Sequence, residues 1–445
     1  LFRSEQDNPG DFIDYTLPVM TVPGGGFAES SLYDYFGLPV GVAGMTAPVS
    51  LHMRMYNLTY NQWYRSQDLQ DSLVVDLDDG PDTDTDYVLQ RRTVRYNHFN
   101  QALPAPQKGD AVELPFADEA PVIGNGKAVG FTDGTSGYGM YALATSGQLN
   151  YSTAHLGGNV GQLYTPSGFP ATSNAAVGLR TDAANSGLKA DLSSATAPNV
   201  NEWREAMALQ QYLEIDARSG TRYPEWIYGH FGVESPDYRQ QRVEYLGGGS
   251  ASVQVSTVPQ TSESGTTKQG HLAAHAFVQR GGISWTASFT EHCCLLGLVN
   301  ARVDLSYQQR LDRMWTDRTR EDLYVPVFAH LGEQVVLTQE LYCDGSATDD
   351  DVFGYIPRWD HLRSKVSSVH GLLRSDATGS LDIYHLAQDY STAPVLNASY
   401  IVDEPPLDRI KAVTSQPDFI MDCFLHLTCT RPLPVRGIPG LAKHF

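Results

Sequence analysis

Between Asn199 and Gly220 apolar residues return with a helical period: Trp203, Ala206, Leu209, Leu213 and Ala217 share one face. Asn199 followed by Glu202 matches a capping box, and Gly220 supplies a stop. This predicts a helix from about Asn199 to Arg218. Pro224 suits a first helical turn and predicts a second, short helix running through Trp226 to about His230. A third is expected over Tyr307 to Trp315.

Elsewhere the pattern is short apolar runs cut by turns. Val253, Val255 and Thr257 alternate with Gln254 and Ser256, and Val335 to Leu337, Leu381 to Tyr384 and Phe424 to Thr430 read as strands. From Leu51 to Val94 the runs show little 3.6 periodicity, and the acidic stretch Asp76 to Asp82 reads as a solvated turn between strands. Residues 1–50 are punctuated by Gly and Pro and read as an arm with loops, leaving 51–445 as one domain. The segment from about Ala117 to Pro198 is rich in small residues, poor in charge and without a period, as an insertion would be. Strands outnumber helices, and no regular crossover helices separate them. The expected fold is therefore mainly β, an antiparallel sandwich or jelly roll with long loop insertions and a few short helices.

Composition narrows the function. The 445 residues are 41% hydrophobic, enough for a large core, and no apolar run reaches the ~18 residues of a membrane helix. No secretory leader is expected. A net charge of −20 opposes uniform coating of nucleic acid, because phosphate binding needs clustered cations. Only 18% of residues are charged, while Gly, Pro and Tyr are abundant, as in a chain whose surface is covered by other chains. Five cysteines (Cys293, Cys294, Cys343, Cys423, Cys429) form no CxxC pair, which argues for a reducing compartment and no disulfide framework.

Catalytic and nucleotide signatures are missing: no G-x-G-x-x-G, no P-loop, no G-x-S-x-G and no H-E-x-x-H. The Asp76 loop fails the EF-hand pattern, with Pro81 and Tyr87 where Gly and Glu belong. His271 and His275 have metal-ligand spacing only on a helix, and no third ligand is apparent. No catalytic residue, metal or cofactor is assigned. Three basic spots stand out: Arg91, Arg92 and Arg95; Arg310, Arg313, Arg318 and Arg320 around Trp315; and Arg431, Arg436 and Lys443. Arginine beside aromatics suits single-stranded bases, and equally suits a subunit interface. The first and last spots are the candidate DNA contacts.

Several strings, taken in order, resemble one family. They include Tyr56-Asn57-Leu58-Thr59-Tyr60-Asn61-Gln62-Trp63-Tyr64-Arg65, Asp78-Asp79-Gly80-Pro81, Leu103-Pro104-Ala105-Pro106-Gln107-Lys108-Gly109 and His230-Phe231-Gly232-Val233. Glu244-Tyr245-Leu246-Gly247-Gly248-Gly249-Ser250, Leu331-Gly332-Glu333-Gln334, Val352-Phe353-Gly354-Tyr355 and Cys429-Thr430-Arg431-Pro432-Leu433-Pro434 continue the series. Together they resemble the major capsid protein of microviruses, small icosahedral phages with single-stranded DNA, on the gokushovirus-like branch. The resemblance implies an eight-stranded jelly-roll barrel and a T=1 shell of sixty copies around a circular single-stranded DNA genome, assembled in the bacterial host cytoplasm. It places an outward protrusion at the three-fold axis, where 117–198 falls, with a role in host attachment through a cell-surface receptor. Because the chain is so acidic, a small basic internal protein or polyamines are expected beside the genome, and no membrane partner is. Trp63, Tyr64, Phe353 and Trp359 are the candidate interface anchors. The rival readings are a β-sandwich carbohydrate-binding protein or glycosidase, and a non-capsid adhesin.

Overall fold

The structure is a computed structural model that describes residues 17–112, 200–220, 222–234, 243–270, 272–289 and 292–431, with five short backbone strands between 122 and 190. By contacts the chain divides into two units, one of Leu1–Pro106 with Asp216–Phe445, the other of Gln107–Ile215.

In the first unit, Ser31 caps the four-residue helix α1 (Leu32–Tyr35) by accepting from the Asp34 backbone N–H. Helix α2 (Leu51–Thr59) follows and widens into a π-helical turn over Tyr60–Tyr64. Helix α2 was not legible as such, and its burial explains why. Leu51, Met53, Arg54, Tyr56, Asn57 and Thr59 are all buried, so no polar stripe alternates with an apolar one. Its polar residues are satisfied internally. Asn57 Nδ2 donates to the carbonyls of Val74 (2.8 Å) and Asp86 (3.0 Å), and Arg54 Nε donates to Asp82 Oδ2 at 2.7 Å.

The acidic stretch is solvated at Asp78 and Asp79 as expected, but among the described residues no strands flank it, and its ends are anchored. Asp82 is buried against Arg54, Asp76 accepts from Tyr87 Oη at 2.9 Å, and the stretch wraps α2. Burial acts to raise the Asp82 carboxyl, but the hydrogen bonds and charge of Arg54 outweigh it and hold the group below its ordinary value. Some residues between 17 and 50 are packed too. Met20, Phe27, Leu32 and Tyr33 form one core with Met53, Tyr56 and Tyr87.

The second unit carries β1 (Val122–Gly124), β2 (Gly130–Thr132), β3 (Gly137–Gly139), β4 (Gly178–Leu179) and β5 (Leu188–Ala190). β1 pairs antiparallel with β5, and β2 lies between β3 and β4. Helix α3 (Val200–Ser219) matches the expected helix, starting in this unit and ending in the other. The capping residue Asn199 lies outside the described residues.

Returning to the first unit, α4 (Tyr223–Phe231) bears out the second helix, with Pro224 in its first turn and Gly232 closing it at φ +66°. β6 (Gln254–Pro259) pairs antiparallel with β7 (Leu272–Phe277). β8 (Ser306–Tyr307), β9 (Glu333–Leu337), β10 (Val352–Pro357), α5 (Asp360–Arg363) and β11 (Ser367–Ser368) complete the order. β9 and β10 pair antiparallel with a bulge near Phe353, and β8 pairs parallel with β11. Over them sits a second core of Phe99, Ala102, Tyr307, Val336, Leu341, Phe353, Ile356 and Leu396. Gly354 is needed there. A Cβ would lie 2.9 Å from Ala102 Cβ and 3.0 Å from a Leu396 methyl, at the point where Leu103 and Tyr355 exchange backbone hydrogen bonds.

Three expected elements differ. Tyr307 to Trp315 is not a helix. The amides of Gln308 and Gln309 each clamp a neighbouring backbone, at Ser375 and Gln388 and at Tyr390, which keeps the segment extended until Asp312 caps a 3-10 turn over Arg313–Trp315. Leu381 to Tyr384 is a 3-10 turn, started by Ser380 Oγ accepting from Asp382 N at 3.1 Å. Phe424 to Thr430 is not a strand: it has no regular structure and belongs to no sheet among the described residues. The chain is mainly non-helical, and among the described residues its sheets have two or three strands and do not close into a barrel.

Candidate assembly and nucleic-acid surfaces

The first basic spot is built on backbone pairing. Val94 N donates to Ile401 O and Asp403 N donates to Arg92 O, both at 2.9 Å, which fixes residues 92–94 beside 401–403. Arg91 pairs with Glu404 at 2.7 Å, and Arg95 pairs with Asp304. Both pairs are exposed and individually weak. The Arg92 guanidinium lies 4.9 Å from the centre of the Tyr64 ring, a cation–π contact. Tyr96 is 81% exposed. The structure adds a residue that sequence reasoning missed. Arg302, two hundred positions away in a neutral stretch, places Nη2 3.4 Å from Thr93 O.

The other basic spots resolve differently. Arg431 is exposed, while Arg436 and Lys443 lie outside the described residues. In the middle spot, Arg310 pairs with Asp312 at 3.3 Å and Arg313 with buried Glu340 at 2.9 Å, so both serve the chain's own packing. Burial raises the Glu340 carboxyl, and the charge of Arg313 pulls it back part of the way.

The four anchor candidates separate into two kinds. Trp63 donates from Nε1 to Val243 O at 2.7 Å, packs near Tyr245 and still keeps 38% of its surface exposed. Tyr64 holds Arg92 and is half-buried. Phe353 and Trp359, in contrast, are buried within the chain. Phe353 meets Phe99 and Tyr400 edge-on, and Trp359 meets Tyr324 edge-on. Phe353 is turned inward on β10, and Trp359, just beyond it, is held by its backbone N–H donating to Gln334 Oε1 of β9.

A cluster near α5 resembles a hydrolytic triad only in composition. His98 Nδ1 lies 2.8 Å from Asp360 Oδ2, and Ser364 Oγ lies 2.8 Å from the same oxygen. Serine and aspartate thus share one ring nitrogen, and no proton path runs through the imidazole from one to the other. Beside it a cavity of about 300 Å³ is lined by Arg313, Arg358, Trp359, Gln334 and carboxylates including Asp317 and Asp350. Among the described residues no three His, Cys, Asp or Glu are placed to hold a metal ion. His275 is exposed and His271 lies outside them. The five cysteines are free thiols, and no helix among the described residues is long and apolar enough to cross a membrane.

Several surface segments are apolar. The β6–β7 ribbon is exposed on both faces, including Val255 and Phe277. Beyond Val413 the chain exposes Phe419, Ile420, Met421, Phe424, Leu425 and Leu427, with Ile420 and Phe424 above 90%. Helix α3 turns Trp203, Met207 and Leu209 to solvent. Soluble monomers rarely leave apolar surface on this scale uncovered, and such surface marks interaction sites.

Cores of linked aromatic pairs beside uncovered apolar segments fit the class of surface-forming, structural proteins. The family model for the capsid protein (F protein) matches residues 1–441, and the chain belongs to that family. It is 40% identical to the capsid protein VP1 of Bdellovibrio phage phiMH2K, over 100% of this chain and 82% of the relative. It is 38% identical to VP1 of Chlamydia phage 1 (98% and 81%) and 34% identical to VP1 of Spiroplasma virus 4 (96% and 79%). The gokushovirus-like resemblance read from the sequence is thereby borne out. The chain is a phage structural protein and not an enzyme, which removes the glycosidase reading.

Proposed function

We propose that this chain is the major capsid protein of a T=1 shell, sixty copies enclosing a circular single-stranded DNA genome. The observation that carries the reading is the contrast between two well-packed cores and segments whose apolar side chains stay uncovered in a single copy, the β6–β7 ribbon among them. A capsid subunit needs both: a rigid part that keeps its shape and surface completed by neighbours. In this reading the exposed segments complete an eight-stranded jelly roll and its contacts. Residues 117–198 form an outward insertion that meets a host receptor, and Trp63 and Tyr64 anchor contacts between copies. Arg91, Arg92, Arg95, Arg431, Arg436 and Lys443 face the DNA. A chain of net charge −20 does not neutralise packaged phosphates, so a small basic protein or polyamines accompany the genome inside particles assembled in the host cytoplasm.

Electron microscopy of the purified product tests the reading. Uniform small icosahedral shells are expected, and a product that stays monomeric at high concentration would overturn it. Particles containing only this chain and DNA, with no polycation, would remove the charge argument. Unchanged host adsorption by particles lacking the tip of 117–198 would remove the receptor role.

A further inference from the structure

The chain holds 51 acidic against 31 basic residues, yet several described arginines have no ion pair. Two of them stand together, close enough for their charges to act on one another. Arg91 and Arg95 have Glu404 and Asp304, whereas among the described residues Arg92 and Arg302 have no ion-pair partner. Arg92 rests on the Tyr64 ring, and Arg302 touches only the Thr93 carbonyl, between Arg92 and Arg95. Arg302 Nε is buried with no acceptor. Burial, with the like charges of Arg92 and Arg95 added, holds the Arg302 guanidinium below its ordinary value. The charges of Asp403 and Asp304 act the other way on Arg302 but do not outweigh this, and burial moves the Asp403 carboxyl towards its neutral form. Gathering like charges costs free energy that a bound anion returns, and guanidinium donors in a fork match phosphate oxygens.

We propose that Arg302 joins Arg92 and Arg95 in one site for a backbone phosphate of single-stranded nucleic acid, with the exposed Tyr96 ring as the stacking platform for an adjoining base. The inference rests on the genome-enclosing reading above and adds to it a residue and a division of labour. The arginines hold the strand without regard to sequence, and the aromatic ring distinguishes an unpaired strand from a duplex, whose bases are already stacked.

The test is fluorescence anisotropy of the full unassembled chain with a twenty-nucleotide oligo-dT between 50 and 200 mM salt. Arg302→Gln should weaken binding about tenfold at the low-salt end and reduce the log–log salt slope by about 0.7, the loss of one single-strand phosphate contact. Tyr96→Ser should weaken binding about tenfold with the slope unchanged, because stacking releases no counterions. Arg302→Lys should keep the slope, and Arg318→Gln, far from the site in sequence and exposed, should change nothing. Tyr96 is too exposed to matter for folding, so its variant decides the case if Arg302→Gln fails to fold. Unchanged binding by Tyr96→Ser, or an unchanged slope in folded Arg302→Gln, overturns the site. A folded Arg302→Gln that loses self-association without DNA while its slope stays the same also overturns it, and assigns the arginines to an acidic face of a second copy. Electron microscopy of the same preparations separates the two claims. Shells from a variant with unaltered DNA binding sink this site and leave the capsid reading standing, whereas a parent chain that forms no shells sinks the capsid reading itself.

Discussion

β9 and β6 are strands of similar length and apolar content in one unit of the molecule, with opposite fates. β9 alternates half-buried and buried positions, its Gln334 and Val336 facing inward against a core that includes Phe353 and Ile356. β6 is exposed at every position, although Val255 and Thr257 alternate with Gln254 and Ser256 just as regularly. Alternation therefore reports that a strand has one face to bury, not where the covering surface comes from. For β9 the cover is the same chain, returned by β10 and the Leu103–Tyr355 bridge. For β6–β7, and for the chain beyond Val413, a single copy supplies none, and a lone two-stranded ribbon is marginal in water. The packed region holds the subunit's shape, and the uncovered region is the part whose stability depends on assembly.

That contrast can be broken by substitution, taken in order of effect on the chain's own stability. Phe353→Ala should cost about 3–5 kcal/mol, since it removes a buried ring from the centre of a core. Chemical denaturation checks it, and a loss under ~1 kcal/mol would mean that this core is not the stabilising one. Asp82→Asn removes the buried counter-charge of Arg54, leaving only the exposed Asp78 carboxylate at 3.4 Å, and should cost about 2–4 kcal/mol. The wild-type pair carries a pH signature. The folded carboxyl lies below the ordinary 3.8, so its contribution is full above 3.8 and disappears as pH falls through the depressed value. Acid titration of unfolding should show this component in the parent chain and not in the variant.

Gly354→Val crowds Ala102 and Leu396 and should cost about 1–3 kcal/mol, with the Leu103–Tyr355 hydrogen bonds the first to lose protection from exchange. In the uncovered region the sign of the lesson reverses. Ile420→Ser with Phe424→Ser, or Trp203→Ala on α3, should move the unassembled chain's stability by no more than about 0.5 kcal/mol while sharply lowering shell yield. Normal yield would show that these side chains meet nothing. Smallest of all, reductant should leave particle melting unchanged, because the cysteines are free thiols.

By itself the sequence determined a mainly non-helical chain, helices α3 and α4, the strands at 254–259 and 333–337, and membership of a capsid family. Each is a local or linear property: a period of 3.6 with a glycine stop, an alternation between turns, or strings of residues in order. Only the tertiary structure decided the rest. Helix α2 is buried nearly all round, so its apolar and polar positions carry no period to read. Gln308 and Gln309 favour a helix in isolation but are held extended by backbone groups some eighty positions away. Phe353 and Trp359 look like surface anchors in a loop-rich string and prove to be core, because burial depends on what returns to cover them. Arg302 lies in a neutral stretch and acquires its neighbours Arg92 and Arg95 only when the chain folds back across two hundred residues. The physical reason is the same in each case. Periodicity and capping depend on residues three or four apart, whereas burial and the clustering of charge depend on contacts whose sequence separation no local pattern encodes.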